Sequence, residues 1–420
     1  MEKPQTPRFY PGWLVAAGCF LATTLEGGLW FSQGLFFKPL AQAFSWSRAE
    51  TSLANTVFML AYGVSGVLLS RWADRYGTRN IMFVAAVLVG MGLALSGVVR
   101  GLGELLVTYA ILGIGVAPTW ILPAATVQRW FSKWRGVMLG LVSSGVGVGA
   151  VIFAPLISLL LARYGWRLAF LQIGVISTLG FGVAAAAMLH SPEKRGVKPY
   201  GWAQVQAAPS QFPSWSSREV SASRALGSSS FWWLLAVVLL GQLPVMFLTV
   251  HLVPYATDQG VSPAQAAAAL GLLGLLSIPG RLVIGGAADR LGWRLSFALA
   301  NFGSAAGVLA FLAVGNPITL YLTVAFYGFF HGARVPPMAG MAGFLFGTTS
   351  LGEMVGLLMG ISIFLSAFAP LAAGFLFDWL GSYVLVLLIS AISFTLSGLL
   401  LGLPALSPPG TGPGRGEGKS

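Results

Sequence analysis

The stretch SIPGRLVIGGAADRLGWR, Ser277 to Arg294, decides how the chain is read. Its last seven residues, ADRLGWR at Ala288–Arg294, repeat ADRYGTR at Ala73–Arg79 with a shift of 215 residues. At the same shift Pro39 falls on Pro254, Ala41 on Ala256 and Ser47 on Ser262, so 39–79 recurs as 254–294 without a gap. The chain is built from two copies of one unit. Ahead of the second heptad, Arg281 interrupts a run of Leu, Ile, Val, Gly and Ala that otherwise reads as a membrane helix.

Composition fixes the class of both copies. With 420 residues, 56% apolar and 9% charged, and mean hydropathy +0.80, the chain cannot bury its apolar surface as a soluble domain does. Apolar runs long enough to cross roughly 30 Å of hydrocarbon begin near residues 12, 49, 79, 104, 135 and 167, and again near 230, 263, 294, 318, 350 and 382. The expected fold is an all-α polytopic membrane protein with twelve transmembrane helices in two pseudo-symmetric six-helix halves. Its parts are a cytoplasmic N-terminus (1–11), a first half (12–189), a central cytoplasmic loop (190–229), a second half (230–403) and a tail (404–420). The loop and the Pro/Gly-rich tail read as irregular or disordered. The first apolar run is longer than a signal-peptide core and lacks a small-residue cleavage site, so it reads as an uncleaved span.

Charge placement orients these spans. With both termini cytoplasmic, the outer loops hold five basic residues, Lys38, Arg48, Arg100, Arg163 and Arg167, and two more, Arg281 and Arg334, are interior. The other seventeen of twenty-four lie on the inner side, the bias expected of cytoplasmic loops. It accounts for the net charge of +12 without a nucleic-acid partner. Cys19 is the one cysteine and lies in an apolar segment, so neither a disulfide framework nor a cysteine metal site is expected.

Two six-helix halves with a repeated ADRxGxR between their second and third helices resemble the major facilitator superfamily. The resemblance implies a substrate site between the halves near mid-membrane. A carboxylate at a helix end, a glycine turn and arginines make a charge latch, so Asp74, Arg75, Arg79, Asp289, Arg290 and Arg294 are expected to gate.

The repeat also acts as a ruler. Arg281 corresponds to Gly66 in the first half, and eight residues at about 1.5 Å rise put it roughly 12 Å inward from Asp289. Its neighbours at three- and four-residue spacing, Gly274, Ser277, Gly285 and Ala288, form a small-residue face that packs tightly or borders a cavity. Insertion of a central arginine costs about 2.5–3.5 kcal/mol unless water or a partner compensates, which favours a cavity; a structural ion pair is the alternative. The other ionisable groups at similar depth are Glu26, His251, His331 and Arg334. An arginine suits a carboxylate but does not carry a proton at physiological pH. Glu26 and the histidines can titrate. Each also has a structural reading: Glu26 as a neutraliser of Arg281 or Arg334, His331 as a satisfied interior histidine, Arg334 as a helix clamp before Pro336 and Pro337.

A narrower resemblance rests on PGW opening the first span, FFKPLAQAFSWSRAETSLA, RWFSKWRGVMLGLVSSG, VHLVPYATDQG and PGRLVIGGAADRLG, in that order on the corresponding helices. These look like the monocarboxylate transporter family, in the prokaryotic branch that includes oxalate/formate exchangers. The resemblance implies a carrier of small organic carboxylates in which Arg281 anchors the carboxylate. His251 and Trp120 then line the site, with Leu29, Tyr327 and Arg334 as further candidates. Glu26 and His331 are the candidates for proton coupling. The chain departs from the family in three places: Ser277 stands where animal carriers have an aspartate, their first-helix lysine falls near Phe31, and no basic residue lies between Met354 and Phe377 to match the exchangers' lysine.

The expected function is proton-coupled symport of a monocarboxylate such as lactate or pyruvate. Carboxylate exchange without proton coupling is the alternative, and a proton-linked drug exporter a third reading. The glycines before Pro155 favour the last slightly, and buried arginines that repel a cation count against it. No nucleophile with a base at usable spacing points to an enzyme, and no signalling extension points to a sensor. The expected partners are the carboxylate and the lipid bilayer, with the proton as coupling ion and no cofactor or metal. The expected state is a monomer in the plasma membrane, the inner membrane if the source is bacterial.

Overall fold

The computed structural model describes residues 10–189, 191–193, 196–202, 222–347 and 351–403. In a bilayer every backbone N–H and C=O must be satisfied within the chain, and a helix does this span by span. The first half holds span 1 (Gly12–Phe44), span 2 (Arg48–Tyr76), span 3 (Thr78–Ser96), span 4 (Leu102–Val116 with Pro118–Trp130) and spans 5 and 6 within Arg135–Ala187. Gly165, at φ 72° and ψ 172°, turns the chain between the last two. The second half holds span 7 (Ser229–Asp258), span 8 (Pro263–Leu291), span 9 (Trp293–Ala310), span 10 (Pro317–Ala333 with Val335–Phe346), span 11 (Leu351–Ser366 with Ala369–Leu380) and span 12 (Val384–Leu400). Among the described residues eight helices are long and apolar enough to cross a membrane, and the one from Gly136 to Ala187 has length for two crossings. Large apolar side chains such as Leu282, Ile318 and Trp379 stand exposed on the outside, where hydrocarbon rather than water meets them.

The duplication read from the sequence extends to backbone detail. Spans 2 and 8 begin with the same capping box, Ser47 with Glu50 and Ser262 with Gln265, which satisfies the first free N–H groups of each helix. Both end at a glycine with positive φ, Gly77 at 89° and Gly292 at 82°, a conformation that side chains with a Cβ avoid. The glycine in each ADRxGxR heptad therefore serves the turn into the next span.

Spans 4, 10 and 11 are single spans whose hydrogen-bond ladder is interrupted, at Ala117 before Pro118, at Arg334 before Pro336 and Pro337, and at Ala367–Phe368 before Pro370; each proline lacks the N–H that would continue the ladder, while the backbone at Ala117 and Arg334 stays in the helical region. One expectation needs amendment. The start of the central stretch is ordered. Ser132 and Lys133 donate their N–H groups to the carbonyl of Tyr200 at 3.0 Å, and Tyr200 donates to Trp130 at 2.9 Å, within a ring cluster of Tyr10, Trp13, Phe131 and Tyr200. The aromatic residues supply a local core that composition alone did not reveal.

Helices approach through small residues, as membrane packing requires. In the first half, Gly149 of span 5 lies so close to span 1 that a Cβ would collide with the carbonyl of Thr24 and come within 2.6 Å of the Gly28 nitrogen. Gly149→Ala is therefore expected to lower the melting temperature in detergent, with a cost of about 1–3 kcal/mol for overpacking. Gly356→Ala, where a Cβ meets nothing within 4 Å, is expected to leave it unchanged.

Candidate functional site

A cavity of about 200 Å³ lies between the halves, below the roughly 300–1,000 Å³ common for drug-sized ligands. Glu26 and Trp30 of span 1, Tyr62 of span 2, Trp120 of span 4 and Ser143 of span 5 line it from the first half. Gln242 and Thr249 of span 7, Arg281 of span 8, His331 of span 10 and Arg334 line it from the second. Five residues singled out from the sequence, Glu26, Trp120, Arg281, His331 and Arg334, thus line one cavity, two from the first half and three from the second. The interruption in span 4 lies three residues before Trp120, and that in span 10 at Arg334 itself.

Arg281 is held across the interface. Its Nη1 donates to the Ser143 carbonyl at 3.0 Å, while its buried Nε has no hydrogen-bond partner. The small-residue face around it packs rather than bordering the cavity. Gly274 meets the Ala150 Cβ and the Gly147 backbone of span 5, Gly285 meets Pro336, and Gly332 of span 10 sits on the Ser277 backbone. Glycine contacts bring the helices close, and the arginine side chain alone enters the cavity.

Arg334 is buried at 7% exposure and pinned within its own half. Its Nε donates to Asn301 Oδ1 at 3.1 Å, its guanidinium lies 5.0 Å from the Phe394 ring, and Gly241 leaves the space it occupies. Glu26 is also buried and lies within electrostatic reach of Arg281. The ion pair expected of it with Arg281 or Arg334 is absent: among the described residues both ion pairs lie elsewhere, at Asp258. Nδ1 of His331 and the hydroxyl of Tyr327 have no hydrogen-bond partner; both border a small side void rather than being satisfied interior groups. Leu29 faces a separate, mostly apolar void inside the first half, lined by residues of all six of its spans.

His251 does not line the cavity. It is fully buried nearer the far end of the molecule, the end opposite both termini, where it joins the halves. Its Nε2 lies 2.9 Å from the Pro370 carbonyl and 3.1 Å from Ser52 Oγ, and Nδ1 lies 2.8 Å from the Tyr383 hydroxyl. A carbonyl only accepts, so Nε2 carries the proton and Nδ1 accepts from Tyr383. Tyr383 in turn accepts from Arg48 Nη1 at 2.5 Å. Arg48 and Lys38 grip Asp258 at 2.6 and 2.7 Å, and the backbone N–H groups of Arg48 and Ala49 donate to the two oxygens of Asp378 at 3.0 and 2.8 Å. This network closes the far end.

At the other end, the side chains of Asp74 and Asp289 lie outside the described residues. Arg75 and Arg290 are exposed, Arg75 and Arg79 rest near the rings of Tyr76 and Phe83, and Arg294 donates to the carbonyls of Leu401 and Leu403. Arg294 ties span 9 to the end of span 12 within one half. Reading ionisable groups alone missed Gln242, Thr249, Tyr62, Trp30 and the supporting Asn301. A polar residue inside an apolar run, such as Gln242 in LLGQLPV, was a signal that could have found some of them; Trp30 carried none.

The Major Facilitator Superfamily profile matches residues 19–314 and 252–420. Human monocarboxylate transporter 12 is 29% identical over 94% of this chain and 80% of its own length. Mouse monocarboxylate transporter 11 is 30% identical over 94% of this chain and 88% of its own. Among solved structures, the xylose transporter XylE from E. coli, in a partially occluded inward-open conformation, superposes with TM-score 0.71 at 14% identity, over 94% of this chain and 97% of that one. A bacterial homolog of the human lysosomal transporter Spinster superposes with TM-score 0.68 at 18% identity, over 96% of each chain. With the duplicated helical halves and the cavity between them, these likenesses identify the chain as a transporter of the major facilitator superfamily, and within it as a member of the monocarboxylate transporter family.

Proposed function

We propose that this protein is a secondary active transporter of small organic carboxylates, monocarboxylates such as lactate or pyruvate, which moves them by alternating access together with a proton. The observation that carries the reading is Arg281: it reaches across the interface to Ser143 and keeps an unpartnered N–H beside a small cavity between the halves. A guanidinium offers a carboxylate a fixed fork of donors and stays charged through the cycle. Arg334, held by Asn301, adds a second positive charge, and the names of the relatives agree with a carboxylate substrate.

Glu26 is the proposed proton carrier. Two arginines and an ionised Glu26 leave the cavity wall with one net positive charge. Adding one proton and one carboxylate leaves that charge unchanged, so empty and loaded carriers meet the same electrostatic cost on reorienting through the low-dielectric core. In this scheme ionised Glu26 attracts Arg281 in the empty carrier, and protonation frees the arginine for substrate. Trp120 and Tyr327 shape the cavity and its margin, Leu29 on span 1 faces a void inside the first half instead, and His331 is the second candidate on the proton route. His251 acts in closing the far end. The basic loops support cytoplasmic termini in a plasma membrane, so that the latched end faces outward. The heptad residues Asp74, Arg75, Arg79, Asp289, Arg290 and Arg294 gate the inner end. The protein works as a monomer. Exchange without proton coupling is the second reading, favoured by the lack of an ion pair between Glu26 and either arginine.

Proteoliposome uptake of labelled lactate, pyruvate and oxalate, with and without an inward proton gradient, separates the readings. Proton-driven accumulation of a monocarboxylate is expected; counterflow that ignores the gradient selects exchange, and no uptake of any carboxylate overturns both. Arg281→Ala and Arg281→Lys are each expected to abolish transport while the protein stays folded, because lysine lacks the fork. Glu26→Gln should retain exchange of internal for external substrate and lose accumulation driven by the gradient; accumulation at the original level would assign the proton to another group.

A further inference from the structure

The far-end latch is divided unequally between the halves. Lys38 and Arg48 belong to the first half, and the carboxylate they share, Asp258, belongs to the second. One oxygen of Asp258 goes to each cation, Oδ1 to Lys38 at 2.7 Å and Oδ2 to Arg48 at 2.6 Å. Asp378, which caps the start of span 2 through the N–H groups of Arg48 and Ala49, is also from the second half. These groups border a solvent-facing cleft of about 370 Å³ that Trp46 and Gln42 also line. The side chains of Lys38 and Asp258 keep 30% and 25% exposure.

Alternating access requires this end to part. When it does, Asp258 and Asp378 leave with the second half, and the first half keeps a lysine, an arginine and two helix N-terminal N–H groups around the space a carboxylate has just vacated. Opposing charge on that face comes from Glu50, whose carboxylate is engaged by the Ser47 backbone N–H. We propose that this face is a second carboxylate-binding site, which captures substrate at the open far mouth and for which Asp258 is the built-in ligand when the mouth is shut. The proposal rests on the carboxylate reading above. The shut state displays the binding geometry: two cations, each on one oxygen of a single carboxylate, beside a helix start that favours anions. A substrate that replaces Asp258 stabilises the open mouth by its differential affinity for the two states, and the exposed cations raise the rate of encounter with anions. Capture and opening are thereby linked before the substrate reaches Arg281.

A simple latch and a capture site predict different signs. If the ion pairs only hold the end shut, removing either partner weakens closure alike, and Lys38→Gln and Asp258→Asn shift uptake in the same direction. If the face captures substrate, Lys38→Gln removes a ligand-binding cation while Asp258→Asn removes a competitor. The test is initial uptake of labelled lactate from the far side into proteoliposomes containing the full chain. KM is expected to rise about threefold for Lys38→Gln and to fall about threefold for Asp258→Asn, the size of effect that partly exposed charges support. Lys38→Arg should retain the original KM, and the KM for efflux initiated at the other end should change less than that for uptake. Shifts of the same sign in the two variants, or no shift in either, overturn the capture site and leave the carboxylate reading standing. Failure of the unaltered protein to move lactate, pyruvate or oxalate overturns that reading, and the capture site falls with it.

Discussion

A guanidinium in the middle of a bilayer is the constraint on which the rest of this structure depends. Hydrocarbon offers it neither water nor counter-charge, and its insertion is tolerated only where the protein supplies a polar enclosure. Arg281 finds that enclosure at the interface of the two halves, with one donor on the Ser143 carbonyl and its side chain lining the cavity. Arg334 is accommodated differently, by Asn301, an aromatic face and the space beside Gly241. One arginine therefore depends on the relation between the halves, and the other only on its own half. A change in how the halves meet alters the surroundings of Arg281 first.

The same economy governs the helices. Small residues let spans 1 and 5, and spans 8 and 10, pack backbone against backbone. The proline breaks in spans 4 and 10 bring Trp120 and Arg334 to the cavity wall. At the far end the ion pairs, the Asp378 cap and the buried His251–Tyr383 pair form one connected seam between the halves. His251 has no unused polar atom there: its donor is shared between Ser52 of the opposite half and the Pro370 carbonyl of its own, and its acceptor is taken by Tyr383, the residue before span 12. That is why a histidine that reads as a binding residue along the sequence is a closing residue in space.

Much of this was legible in the sequence because membrane helices obey local rules. Apolar run length located the spans: the first begins at Gly12, the second at Arg48 and the eighth at Pro263, against expected starts near 12, 49 and 263. The repeat at 215 residues predicted two halves, and matching caps at Ser47 and Ser262 and matching turns at Gly77 and Gly292 carry the same register. Asymmetry within the repeat, Arg281 against Gly66, pointed to the cavity wall. Local rules stop where contact depends on rotation of one helix about its axis relative to a neighbour. Gly274 and Ser277, only one or two turns from Arg281, face a packed seam rather than the cavity for that reason.

By itself, then, the sequence determined the class of protein, the number and order of spans, the duplication and the short inventory of charges that a membrane interior must accommodate, since each follows from the cost of exposing polar groups to hydrocarbon. Only the tertiary structure decided which of those charges meet. It gathered Glu26, Arg281, His331 and Arg334 around one cavity, withdrew His251 to the far seam, and left Glu26 near Arg281 without an ion pair. The reason is geometric: membership of a site requires distance and direction between helices far apart in the chain, and these are set by packing across the interface between the halves.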